Sequence, residues 1–155
     1  MLEVEESSGS LLLYLSPIVE KILSFANSAL DEFPWASAAA IRLGVELIVK
    51  SLYLDLLHPR YNVKRKVKLL ESRKFSFRYI ARKLEEKAKN RSFRDKVYSL
   101  WLDSTKYSHF TEYVARELFE NDIETTREKV KRQIQRLEEV WKEALALGRE
   151  RGLFL

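Results

Sequence analysis

The chain has 155 residues, 46% of them hydrophobic and 12% aromatic, enough for one domain with a real core and no covalent staples. It has no cysteine and only two histidines, far apart, which excludes disulfides and thiolate-held metal sites, argues against a His-rich metal site and gives no motif for a cofactor. The net charge of +5 is uneven: residues 60–96 hold fifteen Lys/Arg and four Asp/Glu, a surplus of +11, which leaves 5 − 11 = −6 for the rest.

A basic block between acidic flanks is either a polyanion-binding face or a solvated pair of helices that neutralises acidic neighbours. The 33% of charged residues, with four Gly, one Met and no Cys, is a mix common in thermophile proteins.

The opening MLEVEESSGS is acidic, unlike a secretion signal, and reads as a flexible N-terminus over 1–10. A first helix is predicted from about Leu11 to Leu30, regular from Ser16 because Pro17 is tolerated only near a start. Its expected stripe is Ile18, Ile22, Phe25 and Ala29, widened by Leu15, Val19, Leu23, Ala26 and Leu30. Pro17, Glu20 and Lys21 interrupt the apolar run well short of the about 20 residues that span a membrane. The expectation is a cytoplasmic protein with no membrane association.

Pro34 opens a second helix, from about Trp35 to Leu57, apolar nearly all round and therefore central. Pro59 ends it. Two short basic helices follow. In the first, Val63, Val67 and Leu70 are expected inward, with Lys64, Arg65, Lys66 and Lys68 outward. In the second, Ser76 is the expected N-cap, and Phe77, Ile80, Leu84 and Ala88 the buried stripe. Ser92-Phe-Arg-Asp95 resembles a capping box for a helix through Val97, Leu100, Trp101 and Ser104, running on or bending through Phe110, Val114 and Leu118. Thr125-x-x-Glu128 is a similar start for a long last helix, seamed by Val130, Ile134, Leu137, Trp141 and Ala144. No segment alternates as a strand does. The fold expected is all-α, a single up-and-down helical bundle of about five helices over 11–148, with a short tail at 149–155.

Two features carry candidate chemistry. Arg42 and Glu46 stand at i and i+4 inside an apolar helix, which is costly unless a polar group on another helix meets them. Tyr98, Leu102, Thr105 and His109 lie four, three and four residues apart on one face of the later helix. If the two faces meet, His109 serves as acid/base, Arg42 holds phosphate, Glu46 and Thr105 orient them, and Tyr98 presents a phenol. The bland reading is an ion pair that fixes helix register. His58, at a helix C-terminus, reads as structural. For nucleic acid, the exposed cations are Lys64, Arg65, Lys68, Arg78 and Arg82, with Tyr61 and Tyr79 available to stack on bases.

AAAIRLGVELIVKSLYL resembles the Arg-x-x-x-Glu helix of HEPN-like (higher eukaryotes and prokaryotes nucleotide-binding) bundles, and LWLDSTKYSHFT resembles their later histidine helix. The likeness runs from Trp35 to Val114 and is nearest the uncharacterised and abortive-infection-like prokaryotic branches. It implies an all-α bundle, often a homodimer, associated with RNA in toxin–antitoxin or antiviral systems, with a small antitoxin-like protein as a further partner. His109 matches the family histidine. Active ribonucleases of the family carry an arginine separated from that histidine by four to six residues; here those positions are Leu102, Asp103 and Ser104. The resemblance thus implies a metal-independent ribonuclease or a non-catalytic relative. The alternative is a non-enzymatic homo-oligomeric module in which the Arg/Glu/His cluster is structural.

Overall fold

Apolar spacing of three to four residues dictates helices, and helices are what form. The computed structural model describes residues 9–72, 76–108, 112–120 and 122–154. Among these the chain makes α1 (Leu11–Tyr14), α2 (Ser16–Ala29), α3 (Pro34–Leu57), α4 (Val63–Ser72), α5 (Phe77–Ala88), α6 (Arg91–Ser108), α7 (Glu112–Glu120) and α8 (Ile123–Glu150), and no strand. The all-α class holds, whereas the expected count of about five becomes eight. One reason lies at the start. Ser10 accepts a hydrogen bond from the Leu13 amide and caps a separate single turn, after which Pro17 sits in the first turn of α2, where its missing N–H costs nothing.

The fold is organised around α3, which packs against α1, α2, α4, α5, α6 and α8. Ile41, Val45, Ile48, Val49 and Leu52 have no exposed surface. The helix is not greasy to the last residue, however, for Leu43 remains 56% exposed. Gly44 is where α2 and α8 close on it. A Cβ there would lie 3.0 Å from Leu137 Cδ2 and 3.3 Å from Ile22 Cγ2. Ser37 Oγ donates to the Ala26 carbonyl at 2.6 Å and ties α3 to α2. Arg127 Nε donates to the Asp31 carbonyl at 2.6 Å and ties α8 to the link between them.

The buried stripe of α2 is rotated from the expected one. Val19, Ile22, Leu23 and Ala26 face the core, while Ile18 and Phe25 are exposed, since α3 and α8 cover only one side of the helix. Leu118, expected on a seam with Val114, is also exposed. The caps correct two sequence expectations by a few residues: Asn90 Oδ1, not the Ser92 box, accepts the Phe93 amide at the start of α6. Asp122, not Thr125, caps α8, accepting from the Thr125 amide at 3.0 Å. That backbone donor, followed by the Thr125 hydroxyl, lowers the Asp122 pKa. Ser76 caps α5 as expected. At the other end of α5, Lys89 takes the left-handed conformation (φ 53°), and Arg151 Nη2 donates to the Ala88 carbonyl at 2.6 Å.

Lys66 departs furthest from expectation. Placed outward by helical phase, its side chain is 1% exposed and bonds Asp55, itself 0% exposed, at 2.8 Å. Asp55 Oδ1 also accepts from the Leu11 amide at 2.8 Å. Its Oδ2 accepts from Ser10 Oγ at 2.7 Å and the Leu12 amide at 3.1 Å. The Lys66 ammonium donates further to the Gly9 carbonyl at 2.6 Å. Gly9 and Ser10, expected loose with the rest of 1–10, are therefore held. At the other end, α8 runs to Glu150, beyond the expected boundary at 148, and Leu153 and Phe154 pack on the core. Among the described residues, no helix is long and apolar enough to cross a membrane.

Removing one partner of a buried, hydrogen-bonded pair leaves the other charge stranded. Lys66→Met is therefore expected to destabilise the fold by about 3–5 kcal/mol. Asp55→Leu is expected to cost more, because two α1 amides lose their acceptor as well. Urea unfolding of the two variants checks both the size and the order.

Candidate functional site

Arg42 and Glu46 do meet a polar group on α6, and it is an indole. Trp101 Nε1 donates to Glu46 Oε1 at 3.0 Å. Arg42 Nε lies 3.5 Å from the same oxygen, and Lys50 Nζ lies 3.9 Å from Oε2. The Arg42 guanidinium stands over the Trp101 ring, 5.5 Å from its centroid. Phe77 of α5 stacks on that ring, with centroids 4.8 Å apart. Tyr98 is stacked near it at 6.3 Å. The carboxylate thus accepts the indole N–H and stands beside two cations, and the arginine has both a carboxylate and a π-face. Such an arrangement fixes α3 against α6.

Of the five proposed catalytic residues, four fall among the described ones. Arg42 and Glu46 are together. Tyr98 is beside them through Trp101. Thr105 lies one turn further along α6, where its hydroxyl donates to the Trp101 carbonyl at 2.6 Å, a bond within its own helix. His109 lies outside the described residues. His58 caps α3 with its amide on the Leu54 carbonyl, and its ring stacks on Tyr61 at 4.2 Å. Among the described residues, no group of His, Asp and Glu is arranged to hold a metal ion.

The five proposed nucleic-acid contacts are all exposed. They fall on two helices. On α4, Lys64, Arg65 and Lys68 point out, and the Arg65 guanidinium lies 3.6 Å from the centroid of the Tyr61 ring. On α5, Arg78 and Arg82 join Ser76 and Tyr79 opposite Arg94 and Tyr98 of α6, and together they line an open groove of about 450 Å³. Arg78 and Arg82 enter no ion pair among the described residues. Arg94 is engaged at one face, with Nη1 2.9 Å from Asp95 and Nε 3.7 Å from Glu85, and its guanidinium stands 5.5 Å from the Tyr98 ring centroid. Tyr79 is 39% exposed. The short link between α5 and α6 is what brings their flanks together: the left-handed turn at Lys89 and the cap at Asn90 reverse the chain in two residues.

Sequence reasoning missed Trp101 as the hub and Arg94 and Tyr98 as one wall of the groove. It also missed the Asp55–Lys66 pair. The signals were present: Tyr98 and Trp101 are i and i+3, and Arg94 is one turn before Tyr98. Asp55 had no Lys or Arg three or four residues away in an apolar run, which points to a more distant partner.

No protein-family model, curated protein or solved structure matches the chain at significance.

The hub predicts a measurable coupling. Trp101→Phe keeps the ring and removes the donor to Glu46, which is expected to cost about 0.5–1.5 kcal/mol. In a double-mutant cycle with Glu46→Leu, which removes the acceptor, thermal or urea unfolding is expected to give a non-additive result of similar size. Additive losses would mean that the indole and the carboxylate do not interact.

Proposed function

We propose that the chain is an RNA-associated helical protein, HEPN-like in kind, whose role rests on binding single-stranded RNA. The groove between α5 and α6 carries this reading. It sets Arg78, Arg82 and Arg94 beside Tyr79 and Tyr98, charge for a phosphate backbone next to rings for bases. Stacking on a tyrosine face needs an unpaired base, so the expected ligand is single-stranded, and little sequence preference follows. Lys64, Arg65 and Lys68 on α4 add non-specific affinity, with the Arg65–Tyr61 stack repeating the same chemistry on a smaller scale.

Binding is favoured over cleavage by the state of Arg42, assigned to hold phosphate, and of Glu46, assigned to orient it. Glu46 is occupied by Trp101, Arg42 and Lys50, and Arg42 by Glu46 and the indole face. A phosphate would have to displace those contacts to reach the arginine. A place in a toxin–antitoxin or antiviral system, with an antitoxin-like partner, belongs to the same proposal and rests on the motif resemblance alone.

A second reading, a homodimer, is favoured by the apolar tip of α7, where Phe119 is 92% and Leu118 54% exposed, with Ile123 of α8 39% exposed. Sedimentation of Phe119→Ser against the wild type tests it: equal masses at all concentrations would dismiss this tip as the contact.

The RNA reading is tested by titrating a labelled oligouridylate at several salt concentrations. The double variant Arg78→Ala/Arg82→Ala is expected to bind more weakly and to lower the slope of log K against log salt by about 1.4, from roughly 0.7 per lost contact on single strands. Tyr79→Ala is expected to cost about 1–3 kcal/mol with the slope unchanged. Cleavage of the RNA by wild type but not by His109→Ala would replace binding with catalysis. Absence of binding at low salt would end the RNA reading.

A further inference from the structure

A second cleft lies between α6 and α8, on a stripe of α6 about 100° around the helix from Arg94 and Tyr98. It measures about 420 Å³, within the range of small-ligand sites. Lys106, Lys129, Arg132 and Arg136 converge on it. Two carboxylates balance part of this charge. Asp103 accepts from Arg136 Nη1 at 2.7 Å and stands 3.7 Å from Lys106 Nζ. Buried Glu117 holds Lys129 Nζ at 3.1 Å and also accepts from the Tyr107 hydroxyl at 3.4 Å. Among the described residues, four cations against two carboxylates leave a surplus of two positive charges, 4 − 2 = +2. Arg132 is exposed and enters no ion pair among the described residues.

The floor supplies an independent observation. Gln133 is 4% exposed and lines the cleft, yet its buried Oε1 has no hydrogen-bond partner among the described residues. An unmet buried amide oxygen is costly, and a helix with so apolar a seam offers Leu or Ile as cheaper occupants. A ligand hydroxyl would satisfy it. Turning the amide by 180° would offer N–H instead to an anionic oxygen. Both orientations call for a polar ligand that reaches the floor.

We propose that this cleft binds a small phosphate monoester that carries a hydroxyl group near the phosphate. The dianion matches the surplus of two charges. Arg132 and Arg136 present forked donors suited to phosphate oxygens. Gln133 takes the hydroxyl. The site shares no residue with the α5/α6 groove, so it stands whether or not the chain binds RNA.

Calorimetry and thermal melting of the full chain with ribose 5-phosphate, ribose and inorganic phosphate test the assignment. Ribose 5-phosphate is expected to bind saturably and raise the melting temperature, and ribose to do neither. Arg132→Ala, whose exposed side chain enters no ion pair among the described residues, is expected to fold normally and weaken ribose 5-phosphate about tenfold. Gln133→Leu is expected to melt no lower than wild type when free, yet to lose affinity for ribose 5-phosphate and not for inorganic phosphate. Arg78→Ala/Arg82→Ala is expected to bind it unchanged. Absence of saturable binding, or equal affinity in the Arg132 and Gln133 variants and wild type, overturns the proposal. So does a requirement for Arg132 in RNA binding with no response to ribose 5-phosphate, which would make the cleft part of a polymer track.

Discussion

The carboxylate of Asp55 holds three separate pieces of chain in one place. It stands in the last turn of the central helix, receives the ammonium of Lys66 from α4, and supplies the acceptor that the first amides of α1 lack. A buried carboxylate without donors would be ruinous, and this one has four. Lys66 in turn closes on the Gly9 carbonyl, so neither charged group is left with only one bond. A hydrophobic pair of equal volume would pack as well but would not specify which backbone lies there. The ion pair selects one arrangement of N-terminal segment, α3 and α4, a use of buried charge attested for helix register.

With one end of α3 fixed in this way, its middle sets the rest. Gly44 admits α2 and α8 to close range, and the Arg42–Glu46 face looks towards α6. Trp101 then acts as a keystone between α3, α5 and α6, since its ring touches Arg42 and Phe77 while its N–H reaches Glu46. The same placement aligns the outer flanks of α5 and α6, and the arginines and tyrosines of the groove are simply what those flanks carry. Arg42, Glu46 and Trp101 thus hold α3 against α6, and the surface chemistry proposed for the protein lies on flanks that this contact aligns.

Helix periodicity made most of this fold legible. The limits of α3, the burial of Phe77 and Phe93, the cap at Ser76 and the outward cations of α4 and α5 all follow from spacing and capping rules. What escaped was relational. Phase on α4 puts Lys66 near the edge of the outward face, and only a carboxylate 11 residues earlier draws it in. Phase on α2 cannot choose between the Ile18–Phe25 stripe and the Val19–Ala26 stripe, because both are apolar; the helices that cover it decide. Arg42 and Glu46 plainly needed a polar counterpart, and an indole N–H satisfied that need without appearing as a polar residue in the sequence. The cleft with Gln133 draws on α6 and α8, which are brought together only by the finished fold.

The breadth of apolar surface on α3 also bears on how the chain is made. A helix covered on nearly all sides is a helix whose covers must arrive before it is safe in water. Its partner α2 precedes it from the ribosome, but α5, α6 and α8 follow, the last ending at Glu150. At roughly 5–20 residues per second, synthesis of those partners takes on the order of 10 s, during which Ile48, Val49 and Leu52 have no complete shelter. The polypeptide thus has a built-in interval of stickiness. Co-translational chaperones would be drawn to the α3 segment, and release from them would have to wait for the final helix.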